Sequence, residues 1–147
     1  MLRLTEKGVD LDVTATDAKE AIRLAGRGLE REGKVTGAYV DRMVEAYESV
    51  GAYIVVAPGI AFPHARPGED VLGAGVSFIR LQEPVRFGHD LHDPVTFVCG
   101  LCGVDKMGHI NMLQQLSRAL GNDDTLAMLK QAKTKQQIIN LLQKEEK

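Results

Sequence analysis

The stretch that decides the fold is "YIVVAPGIAFPHARPG", residues 53–68. Its first five residues form a continuous apolar run, which predicts a β-strand covered on both faces. A proline and a glycine then interrupt the run, so it is shorter than the roughly 20 residues of a membrane-spanning helix. Further on, Pro63 and Pro67 restrict the backbone on both sides of His64. We therefore expect a strand that ends in a rigid loop, and this loop presents His64.

Helical and strand patterns alternate along the rest of the chain. A helical spacing of three and four recurs in segments that run from Asp17 to Gly33, from Thr36 to Gly51 and from His109 to Leu120. Two shorter helices follow, and the last begins at Thr134 with Gln137 as a capping-box partner. Besides residues 53–57, the predicted strands are 73–81 and 93–101. The pattern predicts one layered α/β domain over residues 1–147, with helices on both faces of a mixed sheet of about five strands.

Composition limits the classes of partner. The chain has 147 residues, and 18 lysines and arginines stand against 20 aspartates and glutamates, which gives a formal charge of −2. No basic block is present, so we expect no nucleic-acid partner. The N-terminal sequence "MLRLTEKGVD" lacks the apolar core of a signal peptide. We therefore expect a cytoplasmic protein that does not insert into a membrane.

The two cysteines, Cys99 and Cys102, form a C-x-x-C spacing within "VTFVCGLCGVD". A redox pair of this spacing lies at a helix N-terminus, whereas this stretch is apolar and β-branched like a buried strand. A zinc ribbon needs a second cysteine pair, which the sequence lacks. We therefore predict buried, unreactive thiols.

Two of the four histidines, His89 and His92, lie in the polar stretch "FGHDLHDP" between predicted strands. The simpler interpretation is a solvated loop. The alternative is an H-x-x-H metal half-site completed by Asp90, Asp93 or another histidine, although no helical H-E-x-x-H motif orients such ligands.

His109 has two interpretations of equal weight. If Asp105 caps the helix that begins "KMGHINML", His109 lies in its first turn, near exposed backbone N–H groups and the positive end of the helix dipole. A histidine there can meet an anion. The other interpretation is a histidine packed under the sheet, with its nitrogens satisfied.

Three motifs carry a family resemblance that covers nearly the whole chain. They are "GIAFPH" at residues 59–64, "PVRFG" at 84–88, and Asp105 followed four residues later by His109. With them the chain resembles the cytosolic enzyme IIA component of the bacterial phosphotransferase system, of the mannitol and fructose type. Many mannitol-type members carry an arginine where Ala46 stands and a glycine where Ala65 stands, so the resemblance favours the ascorbate-type branch.

The resemblance implies that His64 is phosphorylated by the histidine-containing phosphocarrier protein and passes the phosphoryl group to a cysteine of enzyme IIB. The membrane enzyme IIC then uses this group indirectly, to drive sugar uptake. The resemblance also implies that His109 assists the transfer without being phosphorylated. It implies no cofactor and no metal. Whether the chain forms a homodimer is left open by the sequence.

Elementary chemistry agrees with this role. An imidazole is largely neutral near neutral pH, and its unprotonated nitrogen can accept a phosphoryl group. Transfer depends mainly on positioning and on stabilising the charge of the phosphoryl oxygens, to which Arg66 contributes a cation if it points inward. No nucleotide-binding loop is present. Two other functions remain open: a regulatory phosphoacceptor domain, and a metal-dependent hydrolase that uses the histidines at positions 64, 89, 92 and 109.

Overall fold

The computed structural model describes residues 4–144, and at positions 106, 108, 109 and 144 it describes the backbone alone. In chain order, the helices within those residues are α1 (Ala18–Arg31), α2 (Gly37–Val50), α3 (Lys106–Leu120), α4 (Asp123–Gln131) and α5 (Lys135–Lys144). The strands are β1 (Val9–Val13), β2 (Val55–Ala57), β3 (Ile60–Ala61), β4 (Gly75–Val76), β5 (Phe78–Val85), β6 (Val95–Val98) and β7 (Leu101–Cys102).

Five of the strands form one mixed sheet in the order β1-β5-β6-β3-β2. The pairs β1–β5 and β3–β6 are parallel, whereas β5–β6 and β2–β3 are antiparallel. Strands β4 and β7 form a separate antiparallel pair. The predicted mixed sheet of about five strands is therefore confirmed.

Helices cover both faces of this sheet, as the sequence predicts. Strand residues alternate between the two faces. On one face, Ala61 and Ile79 join a core with the apolar stripes of α1 and α2. On the other face, Ile60 and Phe78 join a second core with α3, α4 and α5.

The capping predictions are confirmed in α1 and α5. The Asp17 carboxylate accepts a hydrogen bond from the Glu20 N–H at 2.9 Å, so it caps the first turn of α1. At the start of α5, the Gln137 N–H donates to the Thr134 hydroxyl, and the Thr134 N–H donates to the Gln137 side chain, both at 3.1 Å. Thr36 occupies the N-cap position of α2 but makes no side-chain cap bond.

The prediction of a fully covered strand at residues 53–57 is wrong. Gly51–Ile54 form a 3₁₀ turn, and β2 begins only at Val55. The Pro58-Gly59 pair, with φ +75° at Gly59, then turns the chain back, so β2 and β3 are antiparallel. Strand β2 thus lies at the sheet edge, and Val56 is 49% exposed.

The other two predicted strands are each divided. Residues 73–81 contain both β4 and the start of β5, separated by Ser77, whose hydroxyl donates to the Ala25 carbonyl at 2.7 Å. Residues 93–101 contain β6 and the first residue of β7. The chain therefore changes from the large sheet to the small one next to His64.

Candidate functional site

His64 lies three residues beyond the end of β3, where the chain leaves the sheet. It forms an isolated parallel bridge with Leu101 of β7. In this bridge the Leu101 N–H donates to the Pro63 carbonyl at 3.1 Å. The side chain of His64 is half-buried. The prediction that the backbone presents His64 at a strand end agrees with this placement.

The imidazole ring of His64 is oriented by a short hydrogen bond. Its Nδ1 lies 2.7 Å from the carbonyl oxygen of Phe62. A carbonyl oxygen only accepts, so Nδ1 must carry the proton in this contact. The neutral ring then has its lone pair on Nε2.

The His64 side chain lines an open groove of about 860 Å³. We call it the His64 groove. Its other lining residues come from α2, the following 3₁₀ turn and the loop after His64: Arg42, Glu45, Ala46, Val50, Tyr53, Ile54, Ala65, Arg66 and Pro67. Tyr53 is 79% exposed and Val50 is 59% exposed. The groove therefore has an apolar wall beside the imidazole, with charged side chains from the helix and the loop.

Arg42 is a site residue that the sequence reasoning missed. Its Nε and Nη2 donate to the two oxygens of Asp70 at 2.7 and 2.6 Å, and Nη2 also donates to the Arg66 carbonyl at 2.8 Å. These Arg42 hydrogen bonds hold the pKa of the Asp70 carboxyl below its usual value. The available signal was helical spacing, because Arg42 precedes Ala46 by four residues and shares its face of α2.

Arg66 lines the His64 groove, and its side chain is exposed. The loop that carries it is fixed through its backbone by Arg42. Arg66 therefore lies at the groove, and its role toward a phosphoryl group stays a prediction.

Tyr39 is a second residue that the sequence reasoning missed. It is fully buried, and its hydroxyl lies between the loop after His64 and β7. The Ala65 N–H donates to this hydroxyl at 2.9 Å. The hydroxyl itself lies 2.6 Å from the Leu101 carbonyl and 3.1 Å from the Ala65 carbonyl. Tyr39 thus joins the residue after His64 to the strand that His64 bridges.

The His109 side chain lies outside what the structure describes, so both interpretations of it stay predictions. Helix α3 begins directly after Asp105, and its backbone places His109 in the first turn. Helix α3 begins at Lys106, five residues beyond Leu101, which bridges His64. The N-terminus of α3 is therefore close in sequence to β7, the strand that bridges His64.

His89 and His92 lie in the loop between β5 and β6 and are not among the residues found to line the His64 groove. They are half-buried, and their rings stack at 4.5 Å with an angle of 13° between planes. His89 Nδ1 accepts hydrogen bonds from the N–H groups of Leu91 and His92 at 3.1 Å. Both rings thus stack within a turn of a loop in which Gly88, Asp90 and Leu91 are exposed.

The same turn contains Asp93, whose carboxylate accepts hydrogen bonds from the N–H groups of Phe87, Gly88 and His89. Burial raises the pKa of this carboxyl, but these backbone hydrogen bonds outweigh it and lower the pKa overall. Within the described part of the chain, no cluster of three or more histidine, cysteine, aspartate or glutamate side chains is placed to hold a metal ion.

Cys99 and Cys102 are fully buried and unpaired with each other, as the sequence predicts. Burial raises the pKa of Cys102 to about 12 and raises the pKa of Cys99 above its ordinary value. The Cys102 thiol donates to the Gly73 carbonyl at 3.3 Å. Both thiols therefore stay protonated near neutral pH.

None of the helices described within residues 4–144 combines the length and the apolar character that a membrane crossing requires.

The sequence matches the protein-family model described as "Phosphoenolpyruvate-dependent sugar phosphotransferase system, EIIA 2" over residues 3–145. It is 29% identical over 137 residues to the ascorbate-specific PTS system EIIA component of Escherichia coli, which covers 92% of this chain and 89% of that relative.

Solved structures agree with this match. The crystal structure of IIA mannitol from Escherichia coli has a TM-score of 0.83 at 29% identity and covers 96% of this chain and 99% of its own. Enzyme IIAMTL of Escherichia coli, in its complex with phosphorylated enzyme IIBMTL, has a TM-score of 0.84 at 28% identity and covers 97% and 98%. The chain therefore belongs to the EIIA 2 family of the phosphoenolpyruvate-dependent sugar phosphotransferase system, whose members are phosphotransferases.

Proposed function

We propose that this chain is a phosphoryl carrier of a sugar-transporting phosphotransferase system. His64 accepts the phosphoryl group from the histidine-containing phosphocarrier protein and passes it to a cysteine of enzyme IIB. The membrane enzyme IIC uses the group indirectly. The residues proposed for the chemistry are His64 as acceptor, His109 as an assisting group and Arg66 as a cation beside the phosphoryl group.

One observation carries this proposal, the hydrogen bond from His64 Nδ1 to the Phe62 carbonyl at 2.7 Å. It assigns the lone pair of the neutral ring to Nε2, the nitrogen that then attacks phosphorus. A P–N bond forms at Nε2 while the P–N bond of the donor breaks, and that bond's electron pair stays on the donor nitrogen. The Nδ1 proton stays in its hydrogen bond, so the acceptor needs no separate base.

Charge on the transferring phosphoryl group needs positioned cations and N–H donors. Arg66 lines the groove beside His64, and the N-terminus of α3 follows the strand that bridges His64. A helix N-terminus favours an anion, and His109 lies in its first turn. These placements support a phosphoryl site at the end of β3.

The wall of the His64 groove favours protein partners over a free sugar. Its exposed part includes Val50 and Tyr53, whereas sugar recognition depends on placed polar groups. The mannitol enzyme IIA of similar fold is described in complex with phosphorylated enzyme IIB, which supports an enzyme IIB partner here. The ascorbate-specific relative supports ascorbate as the transported compound. A cytoplasmic location, which the sequence analysis expects, is part of the same proposal.

The proposal is tested by incubation with phosphoenolpyruvate, enzyme I and the phosphocarrier protein. We expect one acid-labile, base-stable phosphoryl group per chain and none in His64→Ala. His92→Ala is the matched control, because it removes a histidine that is not among those found to line the groove and is expected to keep the label. Labelling that persists in His64→Ala would contradict the proposal. Onward transfer to an ascorbate-type enzyme IIB, compared with a mannitol-type one, tests the substrate.

A further inference from the structure

The backbone after His64 is held by the side chain of Tyr39, which is not among the residues found to line the groove. When two strands pair in parallel, two backbone hydrogen bonds flank a residue that is bridged as His64 is to Leu101. One uses the carbonyl of the residue before it, and the other uses the N–H of the residue after it. The bond before His64 is present as Leu101 N–H to the Pro63 carbonyl. The bond after it would pair the Ala65 N–H with the Leu101 carbonyl. The Tyr39 hydroxyl joins these same two groups.

The Tyr39 hydroxyl accepts a hydrogen bond from the Ala65 N–H and donates one to the Leu101 carbonyl. It accepts from the Ala65 N–H at 2.9 Å, and its single proton points to the Leu101 carbonyl, the nearer of its two acceptors at 2.6 Å. Burial raises the pKa of Tyr39 far above its ordinary value, so the hydroxyl stays protonated and its role as donor does not change with physiological pH.

The ring of Tyr39 is itself held in place. It is fully buried in the core beneath α2, and the Arg42 guanidinium lies 5.2 Å from its centroid. The same guanidinium binds Asp70 and the Arg66 carbonyl. The backbone of the two residues after His64 is thus held from one helix: the Tyr39 hydroxyl contacts Ala65, and Arg42 binds the Arg66 carbonyl.

We propose that Tyr39 is a positioning residue for His64: its hydroxyl fixes the backbone N–H of Ala65 and thereby keeps Nδ1 of the imidazole in its hydrogen bond to the Phe62 carbonyl. This inference rests on the proposed phosphoryl transfer. Tyr39 itself touches neither partner nor phosphoryl group. Its loss should therefore lower the turnover of bound donor rather than the binding of the donor.

Tyr39→Phe tests this with Tyr47→Phe as the matched control. Tyr47 lies on the same helix, and its hydroxyl donates to the Phe87 carbonyl at 2.6 Å, outside the loop of His64. At a temperature where circular dichroism shows both variants folded, we expect Tyr39→Phe to lower kcat for phosphoryl transfer by roughly 10- to 100-fold with KM nearly unchanged. Tyr47→Phe should transfer at the parent rate. Equal losses in both variants, or no loss in Tyr39→Phe, would overturn the proposal.

A second readout needs no partner protein. Nitrogen NMR of the His64 ring should show the Nδ1-protonated tautomer alone in the parent and in Tyr47→Phe, and a tautomer mixture in Tyr39→Phe. An unchanged tautomer in Tyr39→Phe would overturn the proposal. If the parent accepts no phosphoryl group at all, the proposed function fails, whereas this NMR comparison still decides the role of Tyr39.

A measurement on the parent does not depend on whether Tyr39→Phe folds. The Ala65 amide should exchange slowly with deuterated solvent, because its partner is a buried hydroxyl. Exchange as fast as that of an exposed loop amide would overturn the proposal.

Discussion

At the scale of single residues, His64 is held by its neighbours in the chain and by contacts from distant segments. The two prolines restrict its backbone, and the Phe62 carbonyl fixes which ring nitrogen carries the proton. Leu101 then pairs with it from another strand. A nucleophile held in this way loses little freedom when a donor arrives, and this favours transfer without a separate catalytic base.

His109→Ala tests whether this residue belongs to the chemistry. If its ring donates to a phosphoryl oxygen, the variant should slow transfer to or from His64 by about 10²-fold or more, the scale of losing one positioned donor. The transfer rate and the unfolding midpoint are measured together. A variant that melts much earlier, yet transfers at the parent rate while folded, would make His109 a packing residue.

At the scale of elements, α2 controls the loop that follows β3. Tyr39 and Arg42 lie one turn apart on this helix, and both bind backbone groups of residues 65–66. Arg42 also forms a two-point ion pair with Asp70 at the far end of the loop. The helix thus holds both ends of the segment that carries Arg66.

The ion pair with Arg42 makes stability depend on the ionisation of Asp70. Because the folded pKa of Asp70 is lowered, its contribution is complete above the ordinary carboxyl pKa of about 3.9 and is lost as pH falls through the folded pKa. At pH 7 we expect Asp70→Asn to lower the free energy of unfolding by about 1 kcal/mol. This difference should shrink as the pH falls from about 5 to about 3.

Urea unfolding across this pH range measures the difference. Asp41→Asn is the control, since Asp41 lies on α2 like Arg42 but forms a more exposed ion pair, with Arg23 of α1, and should matter less. A difference between the parent and Asp70→Asn that does not change with pH would contradict the role given to the ion pair.

The cysteines lie in or beside the strands next to His64 but have no role in the chemistry. Their burial raises both pKa values, so neither thiol provides a thiolate. A Cys99→Ala, Cys102→Ser protein should fold and carry the phosphoryl group at the parent rate; the serine retains a donor for the Gly73 carbonyl. Transfer kinetics on the folded variant decide this. A folded variant that accepts the phosphoryl group but cannot pass it on would show that a thiol takes part.

Elements with strong local signals are predicted from the sequence, and elements that depend on distant partners are not. The caps at Asp17 and Thr134 are contacts between residues three apart, so spacing reveals them. Strand β1, with the sequence "VDLDV", was missed because aspartate is depleted in strands and because its partner strand β5 is distant in the sequence. The division of residues 73–81 likewise follows from the contact of Ser77 with α1.

At the scale of the whole molecule, the site forms where distant segments meet. Tyr39 and Leu101 are 62 residues apart, and Arg42 and Asp70 are 28 apart. No spacing rule reaches so far, so the sequence predicted His64 and Arg66 from their local setting but neither Tyr39 nor Arg42.

A buried arginine, Arg80, connects the sheet to the helices on the face that packs against α3, α4 and α5. Arg80 of β5 donates to the Ala132 carbonyl at 2.6 Å and to the Leu129 carbonyl at 3.0 Å, at the C-terminal end of α4, and it also binds Asp12. This contact connects the sheet to the helical layer that contains α3. In this layer, the N-terminus of α3 follows the strand that bridges His64.

The central claim is that Nε2 of His64 carries the phosphoryl group. The direct measurement is to phosphorylate the parent with phosphoenolpyruvate, enzyme I and the phosphocarrier protein, to locate the modified residue by mass spectrometry, and to assign the ring nitrogen by phosphorus and nitrogen NMR. We predict a single phosphohistidine at residue 64, bonded through Nε2, with Nδ1 still protonated toward the Phe62 carbonyl. A phosphoryl group on Nδ1 of His64, or on any other residue, would contradict the account.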